Sequence, residues 1–330
     1  MRRSQGQGAL HVLATNAKTT RIFKVVSEPV IQVEHLRKVY GPTVAVDDVS
    51  FEVYQGEIFG MVGTNGAGKT TSIECIEGLR QQDRGSIRVF GADPQKEIHD
   101  IRRKVGVQLQ ESQLQPRLKV WEALDLFASF YESPLDWEKL LEQLGLTDKR
   151  NTAFAALSGG QKQRLQIALA LINDPQLVFF DELTTGLDPQ ARRAMWDLIR
   201  SVRDDGKTIF LTTHFMDEAE RLCDRVAIMD KGKIIALDTP ENLIQSLGVE
   251  SRVVFTLKEP HDIACCRSLS GVTLVEQNGD RVLVQGKGDM LVVEVVTALA
   301  KEGIRFSDLR TEQPNLEDVF LAVTGHEMKD

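Results

Sequence analysis

Three segments of the sequence carry residue types at spacings that can do chemistry. The first, Gly63-Thr64-Asn65-Gly66-Ala67-Gly68-Lys69-Thr70, fits GxxxxGK[ST]. Its glycines let the backbone wrap a phosphate with N–H groups pointing inward. A helix starting directly behind them presents its positive end to the anion. Lys69 can reach β- and γ-phosphates, and the Thr70 hydroxyl can bind Mg²⁺. Alone, this loop establishes a nucleotide-phosphate binder and nothing narrower. The second segment is Leu177-Val178-Phe179-Phe180-Asp181-Glu182. An acidic pair at the end of a buried strand is costly without a charge partner. Mg²⁺ would be that partner for Asp181, directly or through water, and Glu182 could polarise an attacking water as general base. A strand running out into a solvated acidic turn is the plainer alternative, and the phosphate loop in the same chain weighs against it. The third segment is Leu157-Ser158-Gly159-Gly160-Gln161, ahead of a helix with Leu165, Ala168, Leu169 and Ile172 on its apolar side. A serine and two glycines at a helix start form a second anion site. Either the chain binds two anions, or this second helix end serves a nucleotide held mainly by another subunit.

These segments need elements to hold them. Residues 57–62 form a short apolar run that suits a buried parallel strand, and a helix follows from Lys69 with Ile73, Ile76 and Leu79 on one face. Residues 177–180 and 208–212 are further buried-strand candidates. Between them Pro189 can occupy the first turn of a helix with Asp188 as N-cap, closed by Gly206. Residues 216–223, 226–229 and 233–236 continue the alternation of helix and strand. Residues 30–33 and 44–53 read as an antiparallel region, and about 97–148 as helix-rich. After about residue 247 the order becomes βαββαβ, with Asn278-Gly279 as a hairpin signal. That order suggests a small ferredoxin-like module, and residues 315–323 would cap it as a helix.

LSGGQKQR at residues 157–164, FFDE at 179–182, GLDP at 186–189 and TTH at 212–214 occur in this order and spacing. Over about residues 30–247 the chain therefore resembles the ABC ATPase family. The resemblance implies an α/β fold, a P-loop NTPase cassette with a RecA-like core, an antiparallel β subdomain and a helical subdomain at about 97–160. The cassette would span 29–247, with an α+β accessory domain at 248–330. By the same resemblance two cassettes pack head to tail. Ser158, Gly159 and Gly160 of one, with Gln161 beside them, would then clamp ATP held by residues 63–71 of the other, Thr71 included. Tyr40 would stack on adenine, Asp188 would cross the interface and His214 would contact the γ-phosphate. Gln110 would sense Mg²⁺ and the water, and is taken over Gln108, Gln113 and Gln115 for its place in the segment 106–110. Glu182, His214, Gln110 and Lys69 thus form the implied catalytic set, and Thr70, Gln110 and Asp181 the Mg²⁺ set. Plainer roles exist for single residues: Tyr40 as an edge-strand aromatic, His214 as a loop histidine, Asp188 as an N-cap as well. Thr64 and Leu183 stand where the family usually has proline, which removes no phosphate ligand or catalytic group.

The segments TTHFMDEAE at 212–220, IIALDTP at 234–240 and LEDVFL at 316–321 look like those of the drug-resistance exporter group. Members of that group pair with a separately encoded six-helix permease of the ABC-2 type. This implies a homodimer or paired cassette, cytoplasmic and peripheral on the inner face of the cell membrane, that hydrolyses ATP to drive export. The permease's coupling helix would dock on about residues 111–131. A regulatory or repair ATPase that never meets a permease is the alternative.

Composition agrees with this and narrows it. The 330 residues suit about two domains, and 42% hydrophobic with 27% charged residues permits an ordinary core. A net charge of −8 supplies no basic footprint, so nucleic acid is not an expected partner. Cys75, Cys223, Cys265 and Cys266 form no CxxC pair and read as reduced thiols. No uncharged apolar stretch approaches the roughly 20 residues of a membrane span. Residues 1–28 carry five Lys/Arg and no apolar core of a signal peptide. They read as a disordered tail, with a misassigned start codon as the rival.

Overall fold

A computed structural model of the chain describes residues 28–108, 114–248, 251–287 and 290–326. The expected N-terminal tail, apart from Glu28, and Gln110 lie outside these residues.

The centre is a six-stranded sheet in the order β5-β6-β7-β3-β8-β9. Its strands are β3 (Ile58–Val62), β5 (Val105–Gln108), β6 (Leu177–Asp181), β7 (Thr208–Thr213), β8 (Arg225–Asp230) and β9 (Lys233–Asp238). All pairings are parallel except β8 with β9. Every residue of β3, β6 and β7 is buried, as strands covered on both faces must be. Alternate residues serve two cores. Ile58, Val62, Val178, Phe180, Ile209 and Leu211 face one. Phe59, Met61, Leu177, Phe179 and Phe210 face the other.

The second face is closed by β1 (Pro29–Tyr40), β2 (Thr43–Tyr54) and β4 (Arg84–Val89), which form an antiparallel sheet in the order β2-β1-β4, and by helix α1 (Lys69–Ile76). A run of aromatics joins the two sheets. Phe51 stacks on Phe59 at 5.2 Å, Phe59 meets Phe210 at 5.5 Å, and Phe210 meets Phe179 at 5.6 Å. The first face carries α3 (Val120–Ala128), α4 (Trp137–Gln143), α5 (Gly159–Leu171), α6 (Pro189–Asp204), α7 (Met216–Leu222) and α8 (Pro240–Ser246). No helix among the described residues is long and apolar enough to cross a membrane.

The stretch expected to be helical from about residue 97 holds a strand as well. After α2 (Ile98–Arg102) the chain enters the sheet as β5, an edge strand beside β6. Four residues, Val-Gly-Val-Gln, are too short to show a period. Gly106 is required there, because a Cβ would sit 1.9 Å from the Ala170 carbonyl oxygen of α5.

Beyond α8 the elements are β10 (Ser251–Leu257), α9 (Ala264–Arg267), β11 (Val272–Asn278), β12 (Arg281–Gly286), α10 (Leu291–Lys301) and β13 (Phe306–Glu312). The antiparallel sheet order β11-β12-β10-β13 is the ferredoxin-like arrangement. Val253, Phe255, Val282 and Val284 pack there against Ile263, Cys266, Leu291, Val295 and Leu299 of the helical side.

The last helix, α11 (Leu316–Thr324), does not cap this module as the sequence predicts. Its apolar residues Leu316, Val319 and Phe320 are buried in the core of the six-stranded sheet, with Leu222 and Leu243 of α7 and α8. The Leu316 N–H donates to Glu220 of α7 at 3.0 Å. The module's apolar sheet face is already covered by α9 and α10, so the apolar side of α11 finds its partners elsewhere. All four cysteines are free thiols.

One buried acid stands out. Glu77 closes α1 at 7% exposure, and its Oε2 has no hydrogen-bond partner among the described residues. Burial, with the nearby charges of Asp181 and Glu74, pushes its carboxyl up to about 8.

Two expectations follow from this packing. Phe320→Ala should cost about 3–5 kcal/mol, because the side chain is fully buried. The loss should register in urea unfolding followed by tryptophan fluorescence, since Trp121, Trp137 and Trp196 all precede the module. For Glu77, the folded state favours the protonated form. Its contribution is therefore full below the ordinary 4.5 and is lost as pH rises through about 8. Glu77→Gln removes that titration. Its stability should fall less than that of the parent between pH 6 and 9, by on the order of 2–3 kcal/mol in paired urea melts; parallel pH profiles would refute the burial argument.

Candidate nucleotide site

Strand β3 delivers the chain into the phosphate loop, and α1 receives it. Gly63 passes so close to β8 that a Cβ would lie 2.2 Å from the Met229 carbonyl oxygen. Gly68 turns into the helix at φ 105°, a conformation that excludes ordinary side chains. The loop is pinned by Gly232 N–H to Ala67 O at 2.9 Å. Asn65, Gly66 and Thr70 are exposed, Thr64 and Thr71 half-buried, and Ala67 and Lys69 buried. Lys69 curls over its own loop, its ammonium donating to Gly63 O at 2.8 Å and Thr64 O at 3.1 Å. Burial holds this ammonium below the ordinary lysine range, and Glu182 opposes that shift.

Asp181 ends β6, directly opposite Thr212 of β7 in the parallel register. The Thr212 hydroxyl donates to its carboxylate. Burial pushes the Asp181 carboxyl up, and the Thr212 bond works against that. The next residue, Glu182, has φ 49°, the left-handed region that a branched or long side chain adopts only at a cost. Two bonds hold it there: its N–H reaches Thr212 O at 3.1 Å and Thr212 Oγ1 at 3.2 Å. The turn aims its carboxylate between two basic groups. Lys69 Nζ lies 3.5 Å from Oε1, and His214 Nδ1 lies 3.5 Å from Oε2. Thr212 is the residue whose part the motifs left unassigned. Its signal was present, as a threonine ending a buried strand in register with an acid.

The serine-glycine segment forms a separate concavity. Ser158 caps α5 in a reciprocal box: its Oγ accepts from Gln161 N–H at 3.4 Å, and Gln161 Oε1 accepts from Ser158 N–H at 3.0 Å. The Gln161 side chain is thereby engaged in the cap. Ser158, Gly159 and Gly160 line a cavity of about 360 Å³ together with Asp188. Asp188 caps α6, one carboxylate oxygen accepting from Gln190 N–H at 3.0 Å and Ala191 N–H at 2.9 Å. No phosphate-loop residue lines this cavity. The structure thus brings Lys69, Asp181, Glu182 and His214 together, brings Ser158–Gly160 and Asp188 together, and leaves the first group outside the cavity that the second lines. Tyr40, at the end of β1, is exposed, with Lys38 and Arg80 each 5.5 Å from its ring centre. Gln108, the neighbour passed over for Gln110, is buried, its amide on Gln166 at 3.3 Å.

A backbone anion cradle, a lysine and an acid–histidine pair are what hydrolysis of a phosphoanhydride needs. The family profile for ABC transporters matches residues 46–185. A Nod factor export ATP-binding protein I from Ralstonia nicotianae is 39% identical over 316 residues, 92% of this chain and 96% of that protein. A linearmycin resistance ATP-binding protein from Bacillus subtilis is 33% identical over 310 residues, 91% of this chain and 100% of that protein. The solved ATP-binding subunit of an ABC transporter superposes with a TM-score of 0.60 at 31% identity, over 66% of this chain and 93% of that one. A dimeric ATP-binding cassette in a post-hydrolysis state bound to ADP and Pi superposes with a TM-score of 0.58 at 26% identity, over 63% and 98%. Identity of 39% across nearly the full length of both chains leaves one assignment: this protein belongs to the ABC transporter family, as an ATP-hydrolysing cassette.

Proposed function

We propose that the chain powers export through a separately encoded permease of the ABC-2 type, working as a head-to-tail dimer at the inner face of the cell membrane. The observation that carries the catalytic part is the placement of the Glu182 carboxylate between Lys69 and His214, at 3.5 Å from each. The backbone N–H groups of residues 63–68 and the start of α1 would receive the phosphates. Lys69 would exchange its loop carbonyls for β- and γ-phosphate oxygens. The Thr70 hydroxyl and the buried Asp181 carboxylate are hard oxygen donors that fit Mg²⁺, with Gln110 as a further ligand. Mg²⁺, when bound, supplies charge neutralisation at the β- and γ-oxygens. Glu182 would orient the attacking water and accept its proton as the bond between the γ-phosphorus and the ADP oxygen breaks. His214 would hold Glu182 on one side and a γ-phosphate oxygen on the other. Tyr40 offers an exposed ring for adenine.

The separation of the two residue groups supports a dimer. Ser158–Gly160 and Asp188 share a concavity with no phosphate loop in it, and a second copy would supply the missing wall for each. Export and the permease rest on the relatives, whose names are those of a Nod factor exporter and a resistance protein. A cavity of about 250 Å³ supports a docking site for an amphipathic helix. Leu79 after α1, Val107 of β5, and Phe127 and Tyr131 of the α3 region line it.

Glu182→Gln keeps the side chain's size and removes the proton acceptor. Turnover should fall by about 10²- to 10⁴-fold while ATP still binds, and ATP-bound dimer should accumulate on size exclusion. Steady hydrolysis by that variant would sink the base assignment. Leu79→Glu with Phe127→Ala should leave ATPase activity of the isolated chain within about twofold. It should abolish co-purification with a co-expressed permease, because a charge in an apolar groove costs several kcal/mol. Retention of the permease by the double variant, or failure of the parent chain to hold any permease, counts against the docking proposal.

A further inference from the structure

The buried carboxylate of Glu218, on α7, is unused by the mechanism above. It is 3% exposed and makes no ion pair with a basic residue among the described residues. Burial accordingly pushes its carboxyl upward, and three side-chain donors work against that shift. Two of those donors come from different segments and meet on one atom: the Thr184 hydroxyl donates to Oε1 at 2.8 Å, and the Trp196 indole N–H donates to the same oxygen at 2.9 Å. Thr184 and Thr213 are each 1% exposed.

Each donor sits beside a site residue. Thr184 is two residues past Glu182, and Trp196 belongs to α6, the helix that Asp188 caps. Thr213 immediately precedes His214 and fixes the following turn by accepting from Phe215 N–H at 3.0 Å. Thr184 and Trp196 share one acceptor, Oε1, so a single oxygen joins the loop after Glu182 to α6 and α7. A buried acid with no basic partner does not by itself raise stability over a well-packed apolar side chain, which leaves geometry as the gain. Glu182 needs such a gain. Its backbone is held at φ 49°, and a strained residue persists only where its surroundings over-determine it. Thr212 anchors the turn at its start. Thr184 on Glu218 anchors it three residues later.

We propose that Glu218 is a positioning residue for ATP hydrolysis: its carboxylate ties the loop bearing Glu182 and Asp188 to the segment bearing His214. Nucleotide contact at His214 and the reach of Asp188 across the dimer are thereby set by one buried acceptor. This rests on the roles proposed above for Glu182 and His214.

The test uses the full chain and steady-state ATPase kinetics. Thr184→Val removes one donor at constant size, and kcat should fall by about tenfold or more with KM for ATP within about twofold. Thr184→Ser restores the hydroxyl and should return kcat to within about threefold of the parent. A loss caused only by packing would not be rescued this way, because serine lacks the methyl group. Glu218→Leu removes the acceptor oxygens and should lower kcat by about 10²-fold. The double variant Thr184→Val/Glu218→Leu should be no slower than Glu218→Leu alone, because both changes cut the same tie. Parental kcat in Thr184→Val, failure of Thr184→Ser to rescue, or a double variant that loses the product of the single effects would each overturn the proposal. Where Glu218→Leu fails to fold, the Thr184→Val and Thr184→Ser pair decides alone. Glu182→Gln run in parallel separates the two levels. If it stays active, the parent reading fails; if it is inactive while Thr184→Val is fast, only the role of Glu218 fails.

Discussion

Asp181 and Glu182 are carboxylates held almost dry, with 5% exposure of the first and 8% side-chain exposure of the second, at the carboxyl end of a buried strand. Bare acids in such a place cost several kcal/mol, so their surroundings are constrained to answer them. Three groups do. Thr212 gives Asp181 a hydroxyl and gives the Glu182 N–H two acceptors. Lys69 and His214 flank the Glu182 side chain. Lys69 is itself only 4% exposed, and its ammonium would be as costly as the acids without them. The cluster is mutually dependent, and its members come from α1, the end of β6 and the end of β7. These strands lie side by side in the sheet, with β3 between β7 and β8.

The same constraint bears on the phosphate role proposed for the cluster. Lys69 donates to two carbonyls of its own loop, partners it can exchange for anionic oxygens without being exposed to water. A charge moved between partners inside a dry site avoids the solvent reorganisation that a surface lysine would undergo. The strained Glu182 backbone serves the same end. An extended conformation would carry β6 straight on, whereas the left-handed turn halts the strand and aims the carboxylate back between Lys69 and His214. Strain of this kind is stored where chemistry needs it.

Much of this was legible in the residues. The phosphate loop, the acidic strand end, the serine cap on α5 and the Asp188 cap on α6 each have a local cause: a glycine where φ must be positive, or a small polar side chain where helix N–H groups are free. Local causes are written in consecutive residues. The misses have non-local causes. Strand β5 is too short to carry a period; it is defined by its pairing with β6, which sets Val105 opposite the distant Leu177, and Gly106 leaves room for α5 against it. Thr212 matters through its register with Asp181, which depends on a pairing between residues 31 apart. Glu218 reads as one more acid in a charged helix, Met-Asp-Glu-Ala-Glu-Arg-Leu, and nothing in that stretch says which acid points inward. α11 carries an ordinary amphipathic pattern, and a pattern says that a face is buried without saying against what.

The destination of α11 alters how the C-terminal module is connected. The module's strands and helices run from β10 to β13, but the chain does not end there. It returns to bury Leu316, Val319 and Phe320 against α7 and α8. Arg252 at the module's first strand also pairs with Asp318 of α11 at 2.6 Å. The module is therefore held at both of its ends by elements of the cassette core, in the manner of an inserted unit. A unit hung on a single linker would be free to tumble, whereas one tied at two points has few ways to move without shifting its anchors. One of those anchors packs on α7, the helix that follows His214 and carries Glu218. A displacement of α11 would therefore press on the helix that follows His214. The last helix packs with the cassette core even though it comes after the accessory sheet in the chain.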